Sequence, residues 1–76
     1  MYLHKYVGKK LYGYCNGYFG RNSYEIKRIV YVGLNYIVVE HEDDNIPAIA
    51  YFDNITQEEV EKLLKDWMTP SNLDNY

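Results

Sequence analysis

The sequence predicts a small α+β domain, on three observations. Up to Asp53, aromatic and β-branched residues alternate with polar ones between glycines and asparagines, the signature of short strands and turns. From Thr56 onward the apolar residues switch to helical spacing. The chain of 76 residues suffices for one core and not two, since independent domains rarely fall below about 50 residues. The expected unit is one domain over residues 1–70, a four- to five-stranded antiparallel sheet with one C-terminal helix, followed by a frayed polar tail at 71–76.

The first strand is expected from about Lys9 to Cys15, with Leu11, Gly13 and Cys15 on one face and Lys10, Tyr12 and Tyr14 on the other. Residues 16–23 then read Asn-Gly-Tyr-Phe-Gly-Arg-Asn-Ser, too rich in turn formers for a strand and too aromatic for an ordinary linker. A second strand from Tyr24 to Val32 has Ile26 and Ile29 out of phase, which predicts a β-bulge near Lys27-Arg28 that re-aims those two cations. Gly33-Leu34-Asn35 makes a three-residue hairpin connection, through the positive φ that Gly and Asn tolerate. The third strand, Tyr36 to about His41, leads through a solvated tip, Glu42-Asp43-Asp44-Asn45, to a fourth from Ile46 to Phe52. Pro47 marks that fourth strand as an edge or its own position as a strand start. Residues 1–7 also alternate, Leu3, Lys5 and Val7 against Tyr2, His4 and Tyr6, which would give a short fifth strand.

The helix is expected over Thr56 to Met68. Thr56 is an N-cap, Glu59 completes a capping box, and Ile55 with Val60 forms the flanking hydrophobic staple. Val60, Leu63, Leu64, Trp67 and Met68 make one apolar stripe, while Glu58 with Lys62 and Glu61 with Lys65 are solvent-side pairs. Thr69-Pro70 stops the helix. The stripe must cover the sheet, and a sheet curled into an SH3-like barrel with the helix across one opening is the alternative to an open one.

Composition limits the chemistry. Ten tyrosines lie within the 47% hydrophobic fraction, so mean hydropathy is −0.49 and the purely apolar core is small. One cysteine, Cys15, provides neither an internal disulfide nor a multi-cysteine zinc site, and stability should be about 3–5 kcal/mol. Residues 1–38 set six cations against Glu25 alone, a balance of +5, whereas residues 39–76 set Lys62 and Lys65 against ten acids, a balance of −8. Such a bipolar chain can orient charged partners or stack copies. No membrane span and no signal-peptide h-region is present in the sequence, and a reducing cytoplasm is the expected location.

The loop after the first strand offers backbone amides at Gly17 and Gly20 for an anion, Arg21 for a bidentate contact, and Tyr18 or Phe19 for stacking on a base. It lacks the helix that a phosphate loop needs next, and its bland reading is a structured turn whose aromatics fold onto the sheet. Tyr12 and Tyr14 on one strand face, with Tyr18, Tyr24, Tyr31 and Tyr36 on the elements flanking it and arginine nearby, have the composition of a protein-interface hot spot, against an alternative in which they line the sheet as cross-strand pairs. Cys15 with His4 or His41 is the only nucleophile–base pairing on offer, and a single cysteine on the Leu11 face reads as a buried hydrophobe. The expectation is a non-enzyme without cofactor or metal.

The segment Leu11-Tyr12-Gly13-Tyr14-Cys15-Asn16-Gly17-Tyr18-Phe19-Gly20-Arg21, followed by Tyr24, Lys27-Arg28, the Val38-Val39-Glu40 strand and a short helix, resembles small accessory proteins of tailed bacteriophages. The resemblance spans most of residues 11–67 and rests on size, composition and layout. It implies stoichiometric binding to a bacterial host protein, as in inhibitors of defence systems such as anti-CRISPR proteins, and it carries no site residues. The surface expected to make that contact comprises Tyr12, Tyr14, Tyr18, Phe19, Arg21, Tyr24, Lys27 and Arg28. The runner-up is a nucleotide or single-stranded nucleic-acid binder that uses the same tyrosines for stacking and Arg21, Lys27, Arg28, Lys9 and Lys10 for phosphates. An open strand edge and oppositely charged halves would favour a homodimer in either case.

Overall fold

Four antiparallel strands follow one another in a simple meander, β1 (Lys10–Leu11), β2 (Lys27–Val32), β3 (Tyr36–His41) and β4 (Pro47–Tyr51), and one helix, α1 (Gln57–Trp67), completes the α+β fold. The computed structural model describes residues 2–20 and 24–70, so the tail at 71–76 lies outside the described residues. The sheet order is β1-β2-β3-β4 and the sheet is open, not closed into an SH3-like barrel. As Pro47 predicts, β4 is an edge.

The inner face of the sheet carries Leu11, Lys27, Ile29, Val32, Ile37, Val39 and Ala50, all buried. Val60, Leu64 and Trp67 from α1 join Phe52 and these apolar residues in one cluster, with Ile55, Leu63 and Met68 packed at its margin. The capping box forms as expected: Thr56 Oγ1 accepts the Glu59 amide at 3.1 Å and Glu59 Oε1 accepts the Thr56 amide at 3.4 Å. Two donors at the helix start are thereby satisfied.

Four expectations need correction. First, the bulge lies between Ile29 and Tyr31 and not at Lys27-Arg28. Lys27 points inward, so Lys27 and Ile29 keep strict alternation, and the phase changes only where Val30 and Tyr31 together oppose Val38. Second, residues Tyr2–Tyr6 form a 3-10 helix in place of a fifth strand. Leu3 and Tyr6 are buried at the three-residue spacing of such a turn, while Val7 is exposed. Third, the first strand ends at Leu11 and Cys15–Gly17 is a 3-10 turn, although Leu11, Gly13 and Cys15 are buried together as the alternation suggests. Asn16 there adopts φ 54°, a left-handed conformation asparagine tolerates. Fourth, the Gly33-Leu34-Asn35 hairpin forms, but Gly33 is not at positive φ; a Cβ at that position would collide with the ring of Tyr36.

The two charged halves of the sequence meet within the molecule. Lys5 pairs with Glu61 at 3.3 Å, and Lys10 and Arg28 reach Glu42 at 2.8 and 3.9 Å. Glu61, expected to pair with Lys65, also accepts the Tyr6 hydroxyl at 2.5 Å, which holds its carboxyl below the usual range.

Thr56→Ala is expected to cost about 1 kcal/mol through the lost cap, measured by urea unfolding. Trp67→Ala is expected to cost about 3–5 kcal/mol, comparable to the whole stability of a core this small, and to abolish the cooperative transition.

Candidate functional site

The residues expected to bind a partner do not gather on one surface. Lys27 and Phe19 are core residues. The Lys27 side chain is fully buried; its ammonium donates to the Gly13 carbonyl at 2.9 Å and the Glu25 carbonyl at 2.8 Å, and sits 5.5 Å from the centre of the Phe19 ring. Neither is available to a partner, which corrects the sequence expectation. In the described part of the aromatic loop, Phe19 packs inward against this lysine. Tyr18 packs against Phe52 and Trp67, with ring centres 5.1 and 5.4 Å apart, and Tyr12 is half-buried with its amide donating to the Trp67 carbonyl at 2.7 Å.

Tyr14 and Tyr24 stack at 5.0 Å with planes 19° apart, and Tyr24 is exposed, so this pair forms a small surface feature of its own. Arg28 is exposed on the outer sheet face beside Glu42. Arg21 lies outside the described residues.

Cys15 is buried, donates to the Gly13 and Tyr12 carbonyls at 3.5 and 3.6 Å, and lies 4.0 Å from Lys27 Nζ. Burial pushes its thiol up to about 11, against the partial opposition of the Lys27 charge, and a protonated, buried thiol is a poor nucleophile. His4 Nε2 is 3.0 Å from the Val32 carbonyl and His41 Nδ1 is 2.9 Å from the Ile46 carbonyl. The acidic tip is exposed as expected, with Asp44 Oδ1 accepting the Ile46 amide at 3.0 Å. Glu25, His41 and Asp44 each bring one potential ligand atom within 4.8 Å of the others. Tip geometry already accounts for the His41 and Asp44 placements.

The strongest surface feature lies elsewhere. With α1 on the inner face, no element among the described residues covers the outer face of the sheet, and Val30, Tyr31, Tyr36, Val38, Ile49 and Tyr51 lie on it. The register places Tyr31 opposite Val38, Val38 opposite Ile49, and Tyr36 opposite Tyr51, so the six are contiguous across three strands. The rings form a row, Tyr31 to Tyr36 at 6.0 Å and Tyr36 to Tyr51 at 6.1 Å. Tyr31 and Tyr51 are 53% and 58% exposed, with Val30 and Ile49 also open to solvent. The phenol of Tyr36 is pushed above its ordinary range, chiefly by desolvation and then by the Tyr31 and Tyr51 phenols. The bulge makes this face: it turns both Val30 and Tyr31 outward where strict alternation would bury one of them.

Concave sites are modest beside it. A cavity of about 40 Å³ lies under the Gly33 hairpin, and an open groove of about 490 Å³ runs along α1 between Tyr18, Ile55, Glu59, Lys62, Leu63 and Asp66. No helix among the described residues is long and apolar enough to cross a membrane. No protein-family model, curated protein or solved structure matches the chain.

None of these six outer-face residues is on the expected contact surface, although for Ile49 and Tyr51 the alternation Pro47, Ile49, Tyr51 against Ala48 and Ala50 already separates a small inner face from a large outer one. That pattern was the signal available for them.

The buried thiol has a measurable consequence. Its raised value means that stability associated with the protonated form is fully present below pH 9.0 and is lost as pH rises toward about 11, because the unfolded chain releases the proton first. Lys27 acts oppositely: burial lowers its value, so the folded chain releases that proton first and stability rises as pH approaches 10.5. Subtracting the stability of Cys15→Ala from that of the parent chain between pH 9 and 11 should leave a falling difference. A flat difference would contradict the burial of the thiol.

Proposed function

We propose that this chain is a non-catalytic binding module that occupies a protein partner stoichiometrically through the outer face of its sheet. The observation that carries the reading is the uncovered, contiguous face of Tyr31, Tyr36 and Tyr51 with Val30, Val38 and Ile49. Contiguous exposed apolar surface is unusual on a solitary soluble domain, and tyrosine is enriched at interface hot spots. Tyrosine suits both states of such a surface: its hydroxyl is hydrated when the face is open, and its ring contributes contact area when a partner closes over it. Set in the context implied by the resemblance to phage accessory proteins, the partner is a bacterial host protein, with components of defence systems among the candidates.

The charge arrangement favours a protein over a nucleic acid. Of the cations assigned to phosphates, Lys27 is buried, and Lys10 and Arg28 flank Glu42. Arg28 also pairs in register with Glu40. An acidic pair in the same row weakens the electrostatic term on which phosphate-backbone binding depends.

Capture from nuclease-treated bacterial lysate tests the reading. The double variant Tyr31→Ala, Tyr51→Ala is expected to keep its fold, since both rings are exposed, and to lose affinity for the captured protein by about thirtyfold or more, as for a hot-spot pair. Tyr14→Ala is expected to retain capture. Undiminished capture by the double variant would place the contact surface elsewhere.

A further inference from the structure

We infer that β4 is a self-pairing edge: two copies of this chain join β4 to β4, antiparallel, about a two-fold axis at Ala50, to give one continuous eight-stranded sheet. This does not rest on the proposed partner, because it follows from backbone geometry alone.

Among the described residues no strand pairs with the outer side of β4. Its register with β3 determines which backbone groups face that side. The His41 amide donates to the Ile46 carbonyl and the Phe52 amide to the Asn35 carbonyl. Hydrogen-bonded and non-bonded pairs alternate along an antiparallel ladder, so within the register running from Glu40 opposite Pro47 to Tyr36 opposite Tyr51, Ala48 and Ala50 turn their N–H and C=O groups toward β3. Pro47, Ile49 and Tyr51 turn theirs to the open edge. Pro47 supplies a carbonyl only.

This pattern selects a register. With the axis at Ala50, each Ile49 lies opposite Tyr51 of the second copy, and each of the two pairs exchanges both bonds, four in all. An axis at Ile49 would set the Pro47 ring against the Tyr51 carbonyl, where an N–H is required. An axis at Tyr51 would run the pairing into the turn at Asp53-Asn54, where Asn54 adopts φ 66°. With the axis at Ala50 the seam is lined on its inner side by small residues, Ala50 meeting Ala50.

Charge and protection agree with this geometry. Each copy carries a formal net charge of −3, yet no charged residue lies between Ile46 and Phe52, so no like charges meet across the seam. Edge strands are commonly guarded by lysine, an inward charge or a bulge. The β3–β4 pairing has no register shift, and β4 has only Pro47 at its start. The other edge, β1, is guarded by being two residues long.

Four backbone hydrogen bonds and two Ile49–Tyr51 contacts bury less than the roughly 1,200–2,000 Å² of a stable complex, so association is expected in the micromolar-to-millimolar range. Its product extends the exposed face: Tyr36 and Tyr51 of one copy run on into Ile49 and Val38 of the other.

Sedimentation equilibrium and amide exchange, from low micromolar to about 1 mM protein, test the inference. Average mass should rise toward that of a dimer, and the Ile49 and Tyr51 amides should gain protection with concentration while those of Ala48 and Ala50 stay protected throughout. Ile49→Pro removes one outward donor per copy without touching the β3 ladder and should raise the dissociation constant about tenfold or more, as two lost hydrogen bonds require. Ile49→Lys, a change confined to an exposed side chain, should weaken it as well. A chain that stays monomeric to about 1 mM, variants that associate like the parent, or Ile49 and Tyr51 amides indifferent to concentration would each overturn the inference.

Discussion

Trp67 ties the two layers of this fold together, and its position decides which side of the sheet is covered. Its ring lies 5.4 Å from Tyr18, 5.8 Å from Phe19 and 6.2 Å from Phe52, centre to centre. Its indole N–H reaches Asn16 Oδ1 at 3.4 Å and its carbonyl accepts the Tyr12 amide. One residue at the end of α1 thereby holds the aromatic loop, the exit of β4 and the segment following β1. A helix of 11 residues is about 16 Å long and can shield one face of a small sheet and no more. No other described element covers the opposite face, which is left to meet water.

That constraint explains the distribution of tyrosine. Where the helix covers the sheet, β-strand positions are filled by Ile29, Val32, Ile37 and Val39; where it does not, large side chains carry hydroxyls at Tyr31, Tyr36 and Tyr51. Lys27 occupies an inner position beside Phe19 and Cys15 of the apolar cluster, where carbonyls of Gly13 and Glu25 converge and accept from its ammonium. A buried cation is tolerated there because its hydrogen bonds are made within the loop that it fastens. Among the described residues, the same one-sided coverage leaves β4 with a bare face and a bare edge on adjoining surfaces.

Much of the fold was legible because it rests on local rules. The capping box at Thr56, the helical stripe and the three-residue hairpin at Gly33 depend on residues within a few positions of one another, and each is found where expected. The burial of Lys27 is not legible in the sequence, because it is decided by carbonyls that arrive from Gly13 and Glu25, which no periodicity reveals. The bulge lies later than Ile26 and Ile29 suggest because Ile26 precedes β2, so its phase does not count toward the strand's alternation. The N-terminal alternation was a coincidence of Leu3, Lys5 and Val7; tertiary contact from Leu3 and Tyr6 favoured a 3-10 turn instead. The candidate surface moved from the aromatic loop to the outer sheet face for the same reason: which tyrosines are exposed depends on where one helix lies.

The central claim is therefore one of coverage, and solvent paramagnetic relaxation of the aromatic side chains by a soluble gadolinium chelate tests it most directly. Strong broadening of the Tyr31 and Tyr51 rings, with Tyr6, Phe19 and Trp67 unaffected, is the result expected. Protection of Tyr31 and Tyr51 in dilute protein, equal to that of Trp67, would mean that the outer face is covered and would contradict it.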